Sequence, residues 1–290
     1  MQIVKTKTSG GINYKGLLSV PREKSDKIII HIHGMGGNII FNNFYTPMHE
    51  KYPQNGYSFL VGEHRGSEII KDFELNNEPI LLGNAFERFE DCVEDIQAWI
   101  NFAVEKGYKK IWLQAHSFGP TKVAYYLNQK NLDNIEGVIW LSPSDMMGLV
   151  RYPDVIDQHN ELMKEAKELI KSGKGDNLLS NRLWGEYLLS AKTYVNLFEE
   201  TANTAIFNYG DSSLGWKVIN DISVPVLAIT GTQDDGIKPV IDPKEAMKLL
   251  ESELKNSPRV KTVVYEGAEH SFNGFEEQIV NDVLAFISNN

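Results

Sequence analysis

The 290-residue chain has a single cysteine, Cys92, so no disulfide can form within it and a framework of bridges is excluded as the source of its stability. An oxidising compartment has left no mark on the composition. Positive charge is also scarce: 29 Lys and Arg against 39 Asp and Glu leave a formal charge of −10. That balance disfavours nucleic acid and acidic membrane surfaces as partners, since both demand concentrated Lys and Arg. No segment approaches the roughly 18 apolar residues needed to span a bilayer, and Met1-Gln2-Ile3-Val4-Lys5-Thr6-Lys7 lacks the apolar run of a signal peptide. A cytoplasmic location is the resulting expectation. What is present is 42% hydrophobic and 23% charged residues, enough for one sizeable core in a globular protein.

The apolar runs are short and separated by helical patterns. Val4 to Gly10 and Ile12 to Val20, parted by Gly10-Gly11, read as an opening hairpin that Pro21 ends. Lys27 to His33 is a β-branched strand, and Tyr57 to Gly62 is the next. From Ala85 to Val104 the residues Phe86, Phe89, Val93, Ile96, Ile100 and Ala103 recur every three or four positions, the mark of an amphipathic helix laid on a sheet; Cys92 falls in this pattern and reads as core filler. Later strands are expected at Ile111 to Gln114, Gly137 to Leu141, Val224 to Thr230 and Val260 to Tyr265. Asp242-Pro243-Lys244-Glu245 supplies an N-cap, a first-turn proline and a returning acid for a helix through Leu254. Ile279, Val283, Phe286 and Ile287 mark a closing helix. Alternation of this kind predicts an α/β fold, a mostly parallel sheet flanked by helices, with its site at the carboxyl ends of the strands.

Met146 to Trp216 breaks the alternation. It has helical stretches, such as Leu162 to Ile170 ended by Gly173, and no convincing strand, and it is rich in aromatics: Tyr152, Trp184, Tyr187, Tyr194, Phe198, Phe207, Tyr209 and Trp216. The expected organisation is a core of residues 1–145 and 217–290 with a helical cap, 146–216, inserted after a sixth strand. Most of the aromatics are expected to pack the cap onto the body rather than to touch substrate.

Ala115-His116-Ser117-Phe118-Gly119 lies between the strand Ile111 to Gln114 and a breaker-free helix from Thr121 to Leu127. A strand, one tight residue and a helix make a nucleophile elbow, whose strained turn needs small flanking residues. Ala115 departs from the first glycine of G-x-S-x-G by one methyl, and Pro120 fits a first helical turn. Read alone, the five residues also fit a buried serine that caps a helix.

A serine nucleophile needs a base, a group orienting that base, and donors for the oxyanion, and each has a candidate at a strand end. The base is His270, just past the last strand; of the seven histidines, His49 and His159 lie in polar contexts that look like surface, and His116 points elsewhere. The orienting acid is Asp234 in Gly231-Thr232-Gln233-Asp234-Asp235, with Asp235 and then Asp145 as rivals. Phe118 supplies one oxyanion N–H, and Met35 or Gly36, in His33-Gly34-Met35-Gly36-Gly37-Asn38, the other. A dinucleotide-binding reading of that loop is disfavoured because Ile39 stands where a third glycine is needed. His31 and His33 share a strand face and would suit a metal, but no second cluster of ligands accompanies them.

Over nearly its whole length the chain resembles the α/β-hydrolase superfamily, at His33-Gly34, Glu63-His64-Arg65-Gly66-Ser67, the elbow, Gly231 to Asp234 and Gly267 to His270, with Ser, Asp and His in that superfamily's order. Ala115 to Val123 with Tyr125-Tyr126-Leu127 is similar to a group of hydrolases related to siderophore esterases. The resemblance implies ester hydrolysis of a small-molecule acyl substrate by Ser117, Asp234 and His270, with Met35 and Phe118 at the oxyanion, and with no metal or organic cofactor required. Thioesterase, amidase and carbon-carbon bond hydrolase use the same triad, and a non-catalytic ligand receptor is the alternative of another class.

Overall fold

The computed structural model describes residues 1–130 and 133–288. Their strands are β1 (Gln2–Lys7), β2 (Ile12–Ser19), β3 (Lys27–Ile32), β4 (Ser58–Gly62), β5 (Lys71–Leu75), β6 (Glu78–Leu82), β7 (Lys110–His116), β8 (Ile135–Leu141), β9 (Val226–Gly231) and β10 (Val260–Tyr265). The helices are α1 (Tyr45–Gln54), α2 (Cys92–Glu105), α3 (Gly119–Gln129), α4 (Gly148–Arg151), α5 (Ile156–Lys171), α6 (Ala191–Phe198), α7 (Lys217–Asn220), α8 (Pro243–Glu253) and α9 (Glu276–Ile287).

All ten strands join one sheet in the order β10-β9-β8-β7-β3-β4-β2-β5-β6, with β1 also paired to β2. The six strands from β4 to β10 across the centre are parallel, and β1, β2, β5 and β6 pair antiparallel at one end. The chain leaves β3 for β4 on one side and returns to β7 on the other, so the direction of winding switches beside β3. Clefts form at such a point.

Strict alternation along the central strands divides the interior into two cores. Ile28, Ile30, Leu60, Leu113, Val138, Trp140 and Val226 face one way, toward α2, α3 and the segment between β8 and β9. Ile29, Phe59, Val61, Trp112, Ile139, Leu227 and Ile229 face the other, toward α1 and α9. Burial on both faces is why these strands are continuously apolar rather than alternating.

The elements differ from the sequence expectation in four places, each with a local cause. β1 ends at Lys7 because Thr8 closes the turn, its carbonyl accepting from Gly11 N and its hydroxyl from Ile12 N. The helix expected from Ala85 starts only at Cys92, after a 3₁₀ turn at Phe89–Asp91. Its first residues are engaged elsewhere: Asn84 N and Ala85 N donate to Glu68 O and Ile69 O, and Ala85 O accepts from Ser190 N. β5 and β6 are an unexpected hairpin, turning at Asn76 and Asn77, both in the left-handed region that tight two-residue turns require. They make β8, not a sixth strand, the one that precedes the long insertion. Helix α1 has no clear signal in the sequence, with Pro47 and Pro53 near its two ends.

Between β8 and β9 the described residues add no strand to the sheet; they hold α4 to α7 and two isolated bridges, Leu178 to Ser190 and Leu183 to Tyr187. The segment leaves and rejoins the body at one point. The carboxylate of Asp145 accepts from Gly148 N at 2.7 Å and from Gly210 N at 2.9 Å, clasping both ends. No helix of the described residues is long and apolar enough to cross a membrane.

Candidate active site

Ser117 follows β7 and precedes α3, and its φ of 62° places a non-glycine residue in the left-handed region. The turn is enforced by packing. A Cβ on Gly119 would lie 2.4 Å from Ile32 O, and one on Gly34 would lie 2.7 Å from Ser117 Cβ, so both positions exclude any side chain. Ala115 is fully buried with its methyl beside Gly119, and the sheet accommodates it. The departure from glycine thus falls where the fold has room.

The serine hydroxyl donates to His270 Nε2 at 2.8 Å, and His270 Nδ1–H donates to Asp234 Oδ1 at 2.6 Å. Three strand ends, those of β7, β9 and β10, thereby meet in one hydrogen-bonded chain. Asp234 is fully buried and also accepts from Thr230 Oγ1 at 2.6 Å and Gly236 N at 2.9 Å. Asp235 is 84% exposed and stands 4.0 Å from His270 Nδ1, so the imidazole's partner is Asp234. Asp145 is occupied by Gly148 and Gly210.

Burial alone would raise the Asp234 carboxyl, but the charge of His270 and hydrogen bonds from His270, Ser142 and Thr230 hold it down at about 2. Burial likewise pulls His270 down. The charge and hydrogen bond of Asp234 outweigh it, with help from Asp235 and Glu186, and the imidazole's pKa rises above its ordinary value.

The cavity in front of Ser117 has a volume of about 220 Å³. Met35, Phe118, Ser117 and His270 line it, while Gly36 does not. Neither the Met35 nor the Phe118 N–H has a hydrogen-bond partner among the described residues. Of the aromatics between β8 and β9, Tyr152, Trp184 and Tyr187 reach this cavity, and Tyr194, Phe198, Phe207, Tyr209 and Trp216 are buried in packing.

His33 and His31 do not converge on a common point. His31 is buried against Phe44 and Tyr45 and bonds Gln114 through Nδ1, whereas His33 stacks on His64 at 3.8 Å. His33 Nδ1–H donates to Gly34 O and its Nε2 accepts from Ser67 Oγ at 2.8 Å; His64 Nε2–H donates to His33 O. Burial holds both rings neutral, His33 at about 3 and His64 well below its ordinary value, so the pair braces the loop that carries Met35. The one group of three possible metal ligands among the described residues is Asp234, Asp235 and His270. The buried oxygens and the Nδ1 of that group are already bonded to one another or to neighbouring donors.

Sequence reading missed three supports. His116 points away from the Ser117 hydroxyl, yet its Nε2–H donates to His270 O at 2.8 Å, tying the His270 loop to the elbow strand. Burial, with the charge of His270, lowers its pKa to about 3 and keeps it a neutral donor. Thr230 and Gly236 bind Asp234, and only their closeness to that acid in sequence hinted at it. His159 and His49 also differ from the surface reading. His159 is buried against Tyr194 OH at 2.9 Å, and His49, partly buried beside Phe59, pairs with Ser19 Oγ.

A mostly parallel sheet wound from a switch at β3, with a serine elbow after its central strand and an acid and a histidine at later strand ends, is the α/β-hydrolase fold. The chain belongs to the family described as "Protein of unknown function (DUF1749)", whose model matches residues 82–288. No protein of curated function has a significantly similar sequence. Among solved structures it is similar to Est1E from Butyrivibrio proteoclasticus, with 17% identity, a TM-score of 0.66, and coverage of 100% of this chain and 98% of that one. It is similar to a thermostable carboxyl esterase from Bacillus coagulans at 18% identity and TM-score 0.65, covering 99% and 98%. Siderophore hydrolase EstB from Aspergillus fumigatus matches at 13% identity and TM-score 0.70, covering 100% and 97%. At these identities the likeness is one of fold.

Proposed function

We propose that the protein is a serine hydrolase that cleaves a small carboxylic ester through an acyl-enzyme. The observation that carries this reading is the continuous chain from Ser117 Oγ through His270 to buried Asp234, opening on a cavity lined by Met35 and Phe118, whose N–H groups have no partner among the described residues. Ser117 Oγ attacks the acyl carbonyl while His270 Nε2 takes its proton, and Asp234 holds the imidazole and balances the imidazolium. The N–H groups of Met35 and Phe118 bind the oxyanion. His270 then protonates the departing alkoxide, and the alcohol leaves. Water, deprotonated by His270, attacks the acyl-enzyme and releases the carboxylic acid, restoring Ser117. Every proton passes through His270, so the sequence closes without a metal or organic cofactor.

The solved structures named above as a carboxyl esterase and a siderophore hydrolase share the fold, and an ester is therefore the bond proposed first, ahead of a thioester, amide or carbon-carbon bond. The apolar lining by Met35, Met146, Leu149, Trp184 and Pro239 fits a small acyl or alcohol group. A small-molecule substrate is the partner this cavity suits, rather than nucleic acid or a membrane.

A panel of p-nitrophenyl esters and thioesters of graded chain length tests the reading, together with labelling by a fluorophosphonate. Wild-type protein is expected to be labelled and to turn over within the ~1–10³ s⁻¹ range of ordinary enzymes. Ser117→Ala should lose both properties. Ligand binding with turnover below about one per hour, far outside that range, would make the protein a receptor on the hydrolase fold instead.

A further inference from the structure

Behind the elbow lies a charged pair that the proposed mechanism does not use. Lys122, in the first turns of α3, is 1% exposed, and Glu87, in the segment before α2, is 4% exposed; Nζ and Oε2 are 2.6 Å apart. Taking two charges out of water costs several kcal/mol per ion, and a buried pair returns little net stability compared with an apolar pair of the same size. The local hydrogen bonding is also incomplete. Glu87 Oε1, both polar atoms of the Asn84 side chain and Thr121 Oγ1 are buried without a partner.

The geometry gives the pair a different use. The Lys122 ammonium sits 4.8 Å over the ring of Phe118, which also stacks with Phe89 at 5.7 Å between centroids. A desolvated cation over an aromatic face is among the stronger interactions of its kind. Phe118 is fully buried and lines the cavity beside Ser117, and its N–H is one of the two there without a partner among the described residues. Glu87 in turn is fixed from outside: its carbonyl accepts from Thr193 Oγ1 at 3.1 Å, and its carboxylate lies against the backbone at Gly66, in the turn that also holds His64 and Ser67. The ammonium lies over the ring of the residue that follows Ser117, and the carboxylate lies toward Gly66.

We propose that Lys122, anchored by Glu87, is the positioning residue for the oxyanion donor Phe118, so that the pair supports catalysis in the transition state rather than substrate binding. The inference rests on the serine-hydrolase reading above, and that reading is checked first by wild-type labelling and turnover, which Lys122 does not enter. Given an active wild type, the test compares Lys122→Met with the double variant Glu87→Gln/Lys122→Met. The double variant leaves no unpaired buried charge and so stays folded if the single one does not. Removing an oxyanion donor outright costs about 10²–10³ in kcat, and misaiming one should cost about 10- to 100-fold. Both folded variants should lose that much kcat with KM within about twofold, and their affinity for a trifluoromethyl ketone, which forms a tetrahedral adduct with the serine, should fall in proportion to kcat. A purely structural pair would lower the melting temperature and leave kcat and ketone affinity of the folded enzyme unchanged. A double variant with kcat within twofold of wild type overturns the proposal.

Discussion

A histidine serves as a base only while unprotonated, and at Ser117 the same carboxylate that orients His270 also raises its pKa. Because protonated His270 cannot accept the serine proton, kcat/KM should fall as pH drops through that pKa, and the raised value puts the acid limb above the 6.5 of an ordinary imidazole. Asp234→Asn removes the charge and leaves burial, which acts in the opposite sense, so the limb should move to lower pH while kcat falls by about 10⁴. A pH profile of kcat/KM for both proteins checks this; a limb that stays in place would mean that Asp234 does not set the titration. At this scale the sequence was legible where a residue's place follows from its position at a strand end: Ser117, Asp234 and His270 meet in one hydrogen-bonded chain. It was not legible where a side chain acts across the fold. Nothing around His116 signals that its ring reaches the carbonyl of His270, 154 residues away.

The elbow joins β7 to α3, and its two small flanking residues are not equivalent. At Gly119 an added methyl would collide with the Ile32 carbonyl, an atom of the central strand that cannot withdraw. Gly119→Ala is therefore expected to cost about 1–3 kcal/mol, the usual range for overpacking, toward its upper end, and to misplace Ser117. Ala115→Gly removes only a methyl and should cost about 0.5–1 kcal/mol with turnover retained. Denaturant unfolding and ester kinetics of the two variants separate them, and equal losses would contradict the packing argument. Elements with burial on both faces, such as β3, β7 and β9, announce themselves in sequence as uninterrupted apolar runs. The β5–β6 hairpin sets Phe73, Leu75, Ile80 and Leu82 against the core at alternate positions, but only two to a strand and among Lys71, Asp72, Glu74 and Glu78, a period too short to announce strands. The early start expected for α2 fails for a related reason: Phe86 keeps the helical spacing while its neighbours' backbone groups are bonded to Glu68, Ile69 and Ser190.

At the scale of the molecule, one carboxylate fastens the segment that roofs the site. Asp145→Ala leaves the N–H groups of Gly148 and Gly210 without their acceptor, a loss of about 0.5–1.5 kcal/mol for each of these part-buried hydrogen bonds. Limited proteolysis should then cut within residues 146–216 faster than in the wild type, with the sheet intact in the products; unchanged resistance would show that packing of Tyr194, Phe198 and Phe207 alone secures the segment. The clasp has a second meaning. Since Gly148 and Gly210 come together on a single side chain, the chain between Asp145 and the far donor, 65 positions on, behaves as a closed loop grafted at one spot. A lineage can lengthen, shorten or exchange such a loop without altering the register of β8 and β9. The cavity lining can then change by replacement of one module while Ser117, His270 and Asp234 stay where the strands put them.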